Sequence, residues 1–293
     1  MNNKAEAVHY GDTHKLISEE ISMKLKSEIT PISINRCFST LGCADRSLSE
    51  ILALAKQYSI PAIEVRGIGG ELRNEMIPDF APANAENTKR SFEAAGVRPL
   101  VLGTSVSFHD INEYEKNMEE GKRALEIAER IGFSAIRVFG NRISGDEKEC
   151  VSRVAKGIRE LSLYAENTGV SVFLEVHGDF NTPDRLLPVT ELCGDFDSFG
   201  LIWDICHTHN VYGKNWQKFY DTFAPFIRHV HIKDIKAGQL VLPGEGELEI
   251  VRMIHYMNSK GYKGYFSLEW EKHWHKELPE IEQAIEKLEA LFE

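Results

Sequence analysis

Hydrophobic residues along this chain follow two alternating patterns. Short unbroken apolar runs alternate with longer stretches in which apolar side chains recur every three or four positions. The runs read as strands at 32–39, 62–66, 99–103, 135–139, 170–176, 199–204, 227–232 and 265–269. Between them, 47–58 carries Leu48, Ile51, Leu52 and Ala55 at the i, i+3, i+4, i+7 spacing of an amphipathic helix. Further helices are predicted at 84–95, at 114–131 with Met118, Leu125 and Ala128 inward, and at 146–168, where Val151, Val154, Ala155, Ile158, Leu161 and Ala165 form one stripe ended by Gly169. The second half continues with helices near 182–193 and 215–224. Two more follow, at 247–259 (Ile250, Val251, Ile254 and Met257 inward) and at 278–292 (Leu278, Ile281, Ile285, Leu288 and Phe292 inward).

Strands that are continuously apolar suit a parallel sheet covered on both faces. Eight strand–helix units in about 260 residues match the size and count of a (β/α)8 TIM barrel. The predicted architecture is α/β, a single-domain barrel over 31–293 with a short N-terminal extension over 1–30, which carries one helix near 14–27. A doubly wound open sheet is the rival, but it usually carries a glycine-rich first turn. None follows strand one, and Gly67-Ile68-Gly69-Gly70 after strand two reads as a loop.

Composition narrows the setting. A net charge of −11 disfavours nucleic acid and anionic membrane as main partners, since phosphate binding needs a positive field. No window approaches the roughly 18 apolar residues of a membrane span, and the polar N-terminus lacks a signal core. The five cysteines, Cys37, Cys43, Cys150, Cys193 and Cys206, make an odd number with no Cys-x-x-Cys pair, which fits a reducing cytoplasm better than a disulfide framework. Cys206 lies two residues after Asp204 and reads as a small buried residue.

The chemistry is concentrated at strand ends. Glu175, Asp204, His231 and Glu269 each close an apolar run in the second half. At the C-terminal mouth of a barrel such residues face one space. Any one carboxylate there could be a helix cap, but four polar residues on four consecutive strands point to a metal site. Three carboxylates and one imidazole suit Mn²⁺, Mg²⁺ or Co²⁺ more than a structural zinc. Around them stand His177, His207, Lys233, Asp234, Glu64, Arg66, Arg137 and His109. Some are expected to hold substrate hydroxyls and others to orient ligands. His109, His209, His273 and His275 are expected at the surface, and Trp203, Trp270 and Trp274 in the core or a pocket wall. Glu271 is a reserve candidate for the ligand of strand eight.

Several motifs converge on one family: Ser39-Thr40-Leu41-Gly42-Cys43, Ile63-Glu64-Val65-Arg66-Gly67, Arg137-Val138-Phe139-Gly140, Leu174-Glu175-Val176-His177-Gly178-Asp179-Phe180, Trp203-Asp204-Ile205-Cys206-His207, His229-Val230-His231-Ile232-Lys233-Asp234, Pro243-Gly244-Glu245-Gly246 and Leu268-Glu269-Trp270-Glu271. Together they resemble the sugar phosphate isomerase/epimerase family of xylose isomerase-like TIM barrels, from about Ile32 to the C-terminus. The resemblance implies one divalent ion, Mn²⁺ before Mg²⁺, Co²⁺ or Zn²⁺, on Glu175, Asp204, His231 and Glu269. It also implies a carbohydrate substrate, with His207 at the place of a substrate-binding histidine; by their position at the strand ends, His177, Lys233, Arg66 and Arg137 are expected to bind it as well. The implied reaction is isomerisation or epimerisation through a metal-stabilised enediolate, with Glu175 and Glu269 as base and acid.

The substrate-binding arginine of the ketose 3-epimerases, six residues past the histidine ligand, has no match, because position 237 is alanine. Lys233 and Asp234 look more like the lyase and dehydratase branch, which includes inosose dehydratase-like proteins. An apurinic endonuclease-like hydrolase would need more histidines and a basic surface. A non-catalytic sugar-binding subunit, with or without self-association into a homo-oligomer, is the remaining class.

Overall fold

The computed structural model describes residues 34–292. The extension, its helix near 14–27 and the first residues of the predicted strand at 32–39 lie outside the described residues. Eight parallel strands close into a barrel: β1 (Asn35–Ser39), β2 (Ala62–Val65), β3 (Arg98–Ser107), β4 (Ala135–Phe139), β5 (Ser171–Glu175), β6 (Phe199–Asp204), β7 (Ile227–Ile232) and β10 (Tyr265–Leu268). Each pairs with its neighbours in sequence, and β10 closes the ring against β1.

The helices α1 (Leu48–Gln57), α2 (Ala85–Ala95), α3 (Tyr114–Ile131), α4 (Glu147–Ala165), α5 (Pro183–Cys193), α6 (Ile205–Tyr212), α7 (Trp216–Phe223), α8 (Ile250–Ser259) and α9 (Ile281–Ala290) fill the stretches between and after the strands. They bury most of the predicted stripes, though Val251 and Phe292 are only half-buried. All six apolar residues named on α4 are buried, as are Leu48, Ile51, Leu52 and Ala55 on α1. Local signals set the starts: Ser47 and Glu50 form a reciprocal capping box on α1, and Asp146 accepts from Glu149 N at 3.1 Å on α4. The inside of the barrel is closed by small and branched residues, with Cys37, Ala62, Val101, Ala135 and Ile202 in one buried cluster. The polar residues therefore collect at its C-terminal mouth.

The structure departs from the sequence reading in three places. β3 continues to Ser107, well beyond 103. A helix, α6, follows β6 without a break; it buries only Ile205 and Thr208, too few to leave an apolar stripe. And β7 is followed by a hairpin, β8 (Asp234–Lys236) and β9 (Gln239–Val241), whose two-residue turn places Ala237 and Gly238 at φ 50 and 78. Positive φ at both positions is the geometry of a tight hairpin turn, and three-residue arms are too short to show alternation.

Candidate metal centre

The barrel register builds the site. On β6 and β7, Asp204 lies opposite His231, and His231 lies opposite Ser267 on β10. Glu269 follows two positions after Ser267 and so returns to the same face, while Glu175 ends β5 opposite Phe139. One donor atom from each of Glu175, Asp204, His231 and Glu269 lies within 4.8 Å of the others, and all four residues are buried.

Asp204 serves two purposes. Its Oδ1 accepts from the backbone N–H of Cys206 (2.8 Å) and His207 (3.1 Å), capping α6. Its Oδ2 faces the cluster, where Lys233 Nζ lies 2.9 Å away, at an angle that leaves this oxygen without a hydrogen bond. His231 is divided in the same way. Its Nε2 lies 2.8 Å from Glu64 Oε2, while its Nδ1 has no hydrogen-bond partner and looks toward Glu269 Oε2 (3.2 Å) and Glu175 Oε1 (3.6 Å). Two buried polar atoms without hydrogen-bond partners, aimed into one space beside two more carboxylates, are what a cation would satisfy in place of protons. The donor set therefore fits one divalent ion.

The cationic residues hold these carboxylates in place. Arg137, expected to bind substrate, lines the mouth and is also braced by its neighbours. It donates to Glu175 Oε2 (3.0 Å) and Thr104 O (3.0 Å), and it lies 3.6 Å from Glu269 Oε1. Lys233 contacts Asp204, Glu269 (2.7 Å) and Glu271. Glu271 thus reaches the site through Lys233 and stands outside the cluster of four. Burial pushes the Glu175 carboxyl up, as does Glu269, but Arg137 and His231 outweigh both and hold it well below the usual carboxylate range. Burial likewise raises Glu269, and His231 and Lys233 overcome it. Burial lowers His231, but Glu269, Glu64 and Glu175 together raise it well above an ordinary histidine.

Arg66 donates to Leu72 O (3.0 Å) and Ser105 Oγ (2.8 Å), and lines the mouth. Burial and the neighbouring Arg137 push it down to about 10. It reaches the mouth across β3 at Gly103, where an added Cβ would come within 2.7 Å of Arg66 Cδ. His177 and His207 are half-buried, their rings 4.0 Å apart, and both reach the same space as Glu175.

Other candidates fall elsewhere. Asp234 is a buried anchor. Its Oδ1 accepts from Ile235 N and Leu248 N, and its Oδ2 from Gly244 N and Gly246 N. Gly246 is required there, since a Cβ would stand 2.1 Å from Asp234 Oδ1. The Pro243-Gly244-Glu245-Gly246 motif is thus a loop wrapped around a carboxylate. His275 is exposed, whereas His109, His209 and His273 are half-buried rather than fully at the surface. Trp203 and Trp270 are core, and Trp274, 55% exposed, stands at the mouth. Cys206 is partly buried and its thiol is pushed up to about 12 by burial and Asp204. Sequence reasoning passed over His229, whose Nε2 lies 3.2 Å from Glu64 Oε2. Its position two residues before His231, on the same strand face, was the available signal.

Fold and donor set together define a parallel barrel whose mouth carries a donor set that could hold a cation. The chain belongs to the xylose isomerase-like TIM barrel family, whose model matches residues 52–291. It is 28% identical over 214 residues to an inosose isomerase of Halalkalibacterium halodurans, covering 67% of this chain and 74% of that protein. It is 27% identical to a fructoselysine 3-epimerase of Escherichia coli O157:H7 and 26% identical to an inosose dehydratase of Serratia proteamaculans. Those matches cover 47% and 41% of this chain, and they span only about half of each relative, 53% and 47%. Among solved structures, the IOLI protein with a bound zinc atom superposes with a TM-score of 0.73 at 20% identity, over 88% of this chain and 96% of that one. With an isomerase, an epimerase and a dehydratase as its relatives, the chain is an enzyme. Among the described residues no helix is long and apolar enough to cross a membrane.

Proposed function

We propose that this enzyme is a divalent-metal-dependent sugar isomerase or epimerase that moves a proton at a carbon next to a carbonyl, with Glu175 and Glu269 as its acid–base pair. The observation that carries the reading is the convergence of four buried donors from four adjacent strands, two of them with unpartnered atoms aimed at one point. Glu175, Asp204, His231 and Glu269 would hold one ion, proposed as Mn²⁺ on the oxygen-rich donor set; the zinc of the IOLI structure makes Zn²⁺ the alternative. When bound, the ion would act as a Lewis acid that polarises the carbonyl and a neighbouring hydroxyl.

The remaining work belongs to the side chains. Ionised Glu175, held at Oε2 by Arg137, takes the proton from carbon. Glu269, also ionised and 2.7 Å from the Lys233 ammonium, takes a proton from it and passes that proton to the other face or the neighbouring carbon; the proton left on Glu175 goes to solvent, from which Lys233 is reprotonated. His177, His207 and Arg66 receive the hydroxyls. A dehydratase is the second reading, favoured by Lys233: its ammonium, bonded to Glu269 and Glu271, stands ready to protonate a leaving hydroxyl. The kinship with both an isomerase and a dehydratase supports keeping the two together.

The test is solvent deuterium exchange into keto-sugars and inosose with Mn²⁺ present. Exchange at carbon is expected, and Glu269→Gln or Glu175→Gln should slow it by about 10²–10⁴-fold, the usual worth of a general acid or base. Wild-type exchange in both variants would defeat the assignment.

A further inference from the structure

The mouth of the barrel has two compartments. The one over the metal donors has a volume of about 200 Å³ and is walled by Arg66, Arg137, Glu175, His177 and Glu269. Beside it lies an annex of about 330 Å³, bounded by Cys206, Ile235, Leu240, His275, Glu277 and Leu278, with His207 at its junction with the first compartment, its ring 4.0 Å from that of His177. Lys233 and Glu271 line both, so their ion pair is the partition between them. The inner compartment is smaller than the ~300–1,000 Å³ typical of pockets for drug-sized ligands, and only with the annex does the space reach that range. It suits one sugar ring and little more.

Charge and polarity say what the annex accepts. Ile235 and Leu278 are buried, and with Leu240 and Cys206 they give an apolar floor. The annex has no arginine, and its one lysine is already shared among three carboxylates. Glu271 and Glu277 make its walls acidic, with His275 between them. An anionic group is therefore excluded. The metal compartment is balanced as well. Five carboxylates (Glu64, Glu175, Asp204, Glu269 and Glu271) stand around three fixed cations (Arg66, Arg137 and Lys233), and one divalent ion makes up the difference. No surplus positive charge remains to hold a phosphate.

From this geometry we infer that the substrate is an uncharged sugar carrying a second, partly apolar substituent, a glycoside, whose ring sits over the metal donors while its aglycone lies in the annex past Lys233 and Glu271. This inference rests on the proton-transfer reading above and adds the substrate class to it.

The experiment uses the Mn²⁺-loaded full chain and follows deuterium exchange by NMR into 3-ketoglucose, phenyl 3-keto-β-glucoside and 3-ketoglucose 1-phosphate. The phenyl glycoside is expected to exchange with a kcat/KM at least tenfold above that of the free sugar, the gain lying in KM, and the phosphate is expected to be poorest. Leu240→Trp fills the annex and should erase the glycoside's advantage. Gln239→Trp, on the exposed rim, narrows the same entrance without touching the core and should raise the glycoside KM in the same sense. Equal exchange of glycoside and free sugar, or preference for the phosphate, would overturn the inference and leave the acid–base assignment standing. Absence of exchange in all three would overturn both.

Discussion

Glu64 Oε2 lies 2.8 Å from Nε2 of His231 and 3.2 Å from Nε2 of His229, so one buried carboxylate holds two imidazoles. Burial pushes the Glu64 carboxyl up, but the two histidines pull it down further, and it is ionised. An ionised carboxylate only accepts, so both Nε2 atoms carry the hydrogens. That fixes the His231 tautomer and leaves Nδ1 as the atom turned to the cluster. Carboxylate partners of this kind commonly change metal affinity by about 10–100-fold. Glu64→Gln should weaken Mn²⁺ binding by that factor in titration calorimetry, with the circular dichroism spectrum unchanged. Undiminished affinity would show that Glu64 has no part in orienting the ligand.

Lys233 neutralises three carboxylates at once while itself buried. Removing one partner of a buried ion pair costs about 3–5 kcal/mol, because the other partner is left uncompensated. Lys233→Met should lose stability of that order in chelator-treated protein, measured by urea unfolding. Saturating Mn²⁺ should restore much of it, since the ion supplies charge to Asp204 and Glu269. A variant as stable as wild type in chelator would refute this account.

The pH dependence has two arms. Glu64, Glu175 and Glu269 are depressed in the folded state, so their contribution is present above the unfolded value of about 4.3 and lost on acidification through their lower folded values. His231 is raised, so its contribution is complete below the unfolded value of about 6.5 and is lost as pH rises through its folded value. In chelator, Tm should be highest between about pH 5 and 6.5 and decline toward alkaline pH. His231→Gln should flatten the alkaline arm. A Tm of the chelated wild type that rises from pH 6.5 to 9 would contradict the charge assignment.

Asp234 accepts four backbone N–H groups. Asp234→Ala removes the partner of all four, and on the two buried residues, Ile235 and Leu248, each unpaired N–H costs about 1–3 kcal/mol. A loss of at least about 3 kcal/mol is expected in denaturant unfolding, and Gly246→Ala should be destabilising for the steric reason alone. An Asp234→Ala protein with wild-type stability would mean that the loop finds other partners.

The barrel was legible because buried parallel strands leave unbroken apolar runs and the covering helices leave stripes. The four donors were legible because each closes such a run. What stayed hidden has short-range or cross-barrel causes. α6 is held by the Asp204 cap with almost no apolar face, and the hairpin depends on one tight turn at Ala237 and Gly238. The bracing of Arg137 stayed hidden, because nothing in a linear pattern shows that Glu175 and Glu269 close on it from two other strands. The role of Glu64 joins β2 to β7, positions 167 apart in the chain.

The two oxygens of Asp204 pull in different directions, one on the first backbone amides of α6 and one toward the centre of the barrel. Any tug on the inward oxygen is felt at once by the segment that carries His207. Loading the centre and aligning the imidazole above it are then mechanically the same act, and a protein stripped of its ion should show looser amides at 205–208 by hydrogen exchange before any other part of the wall.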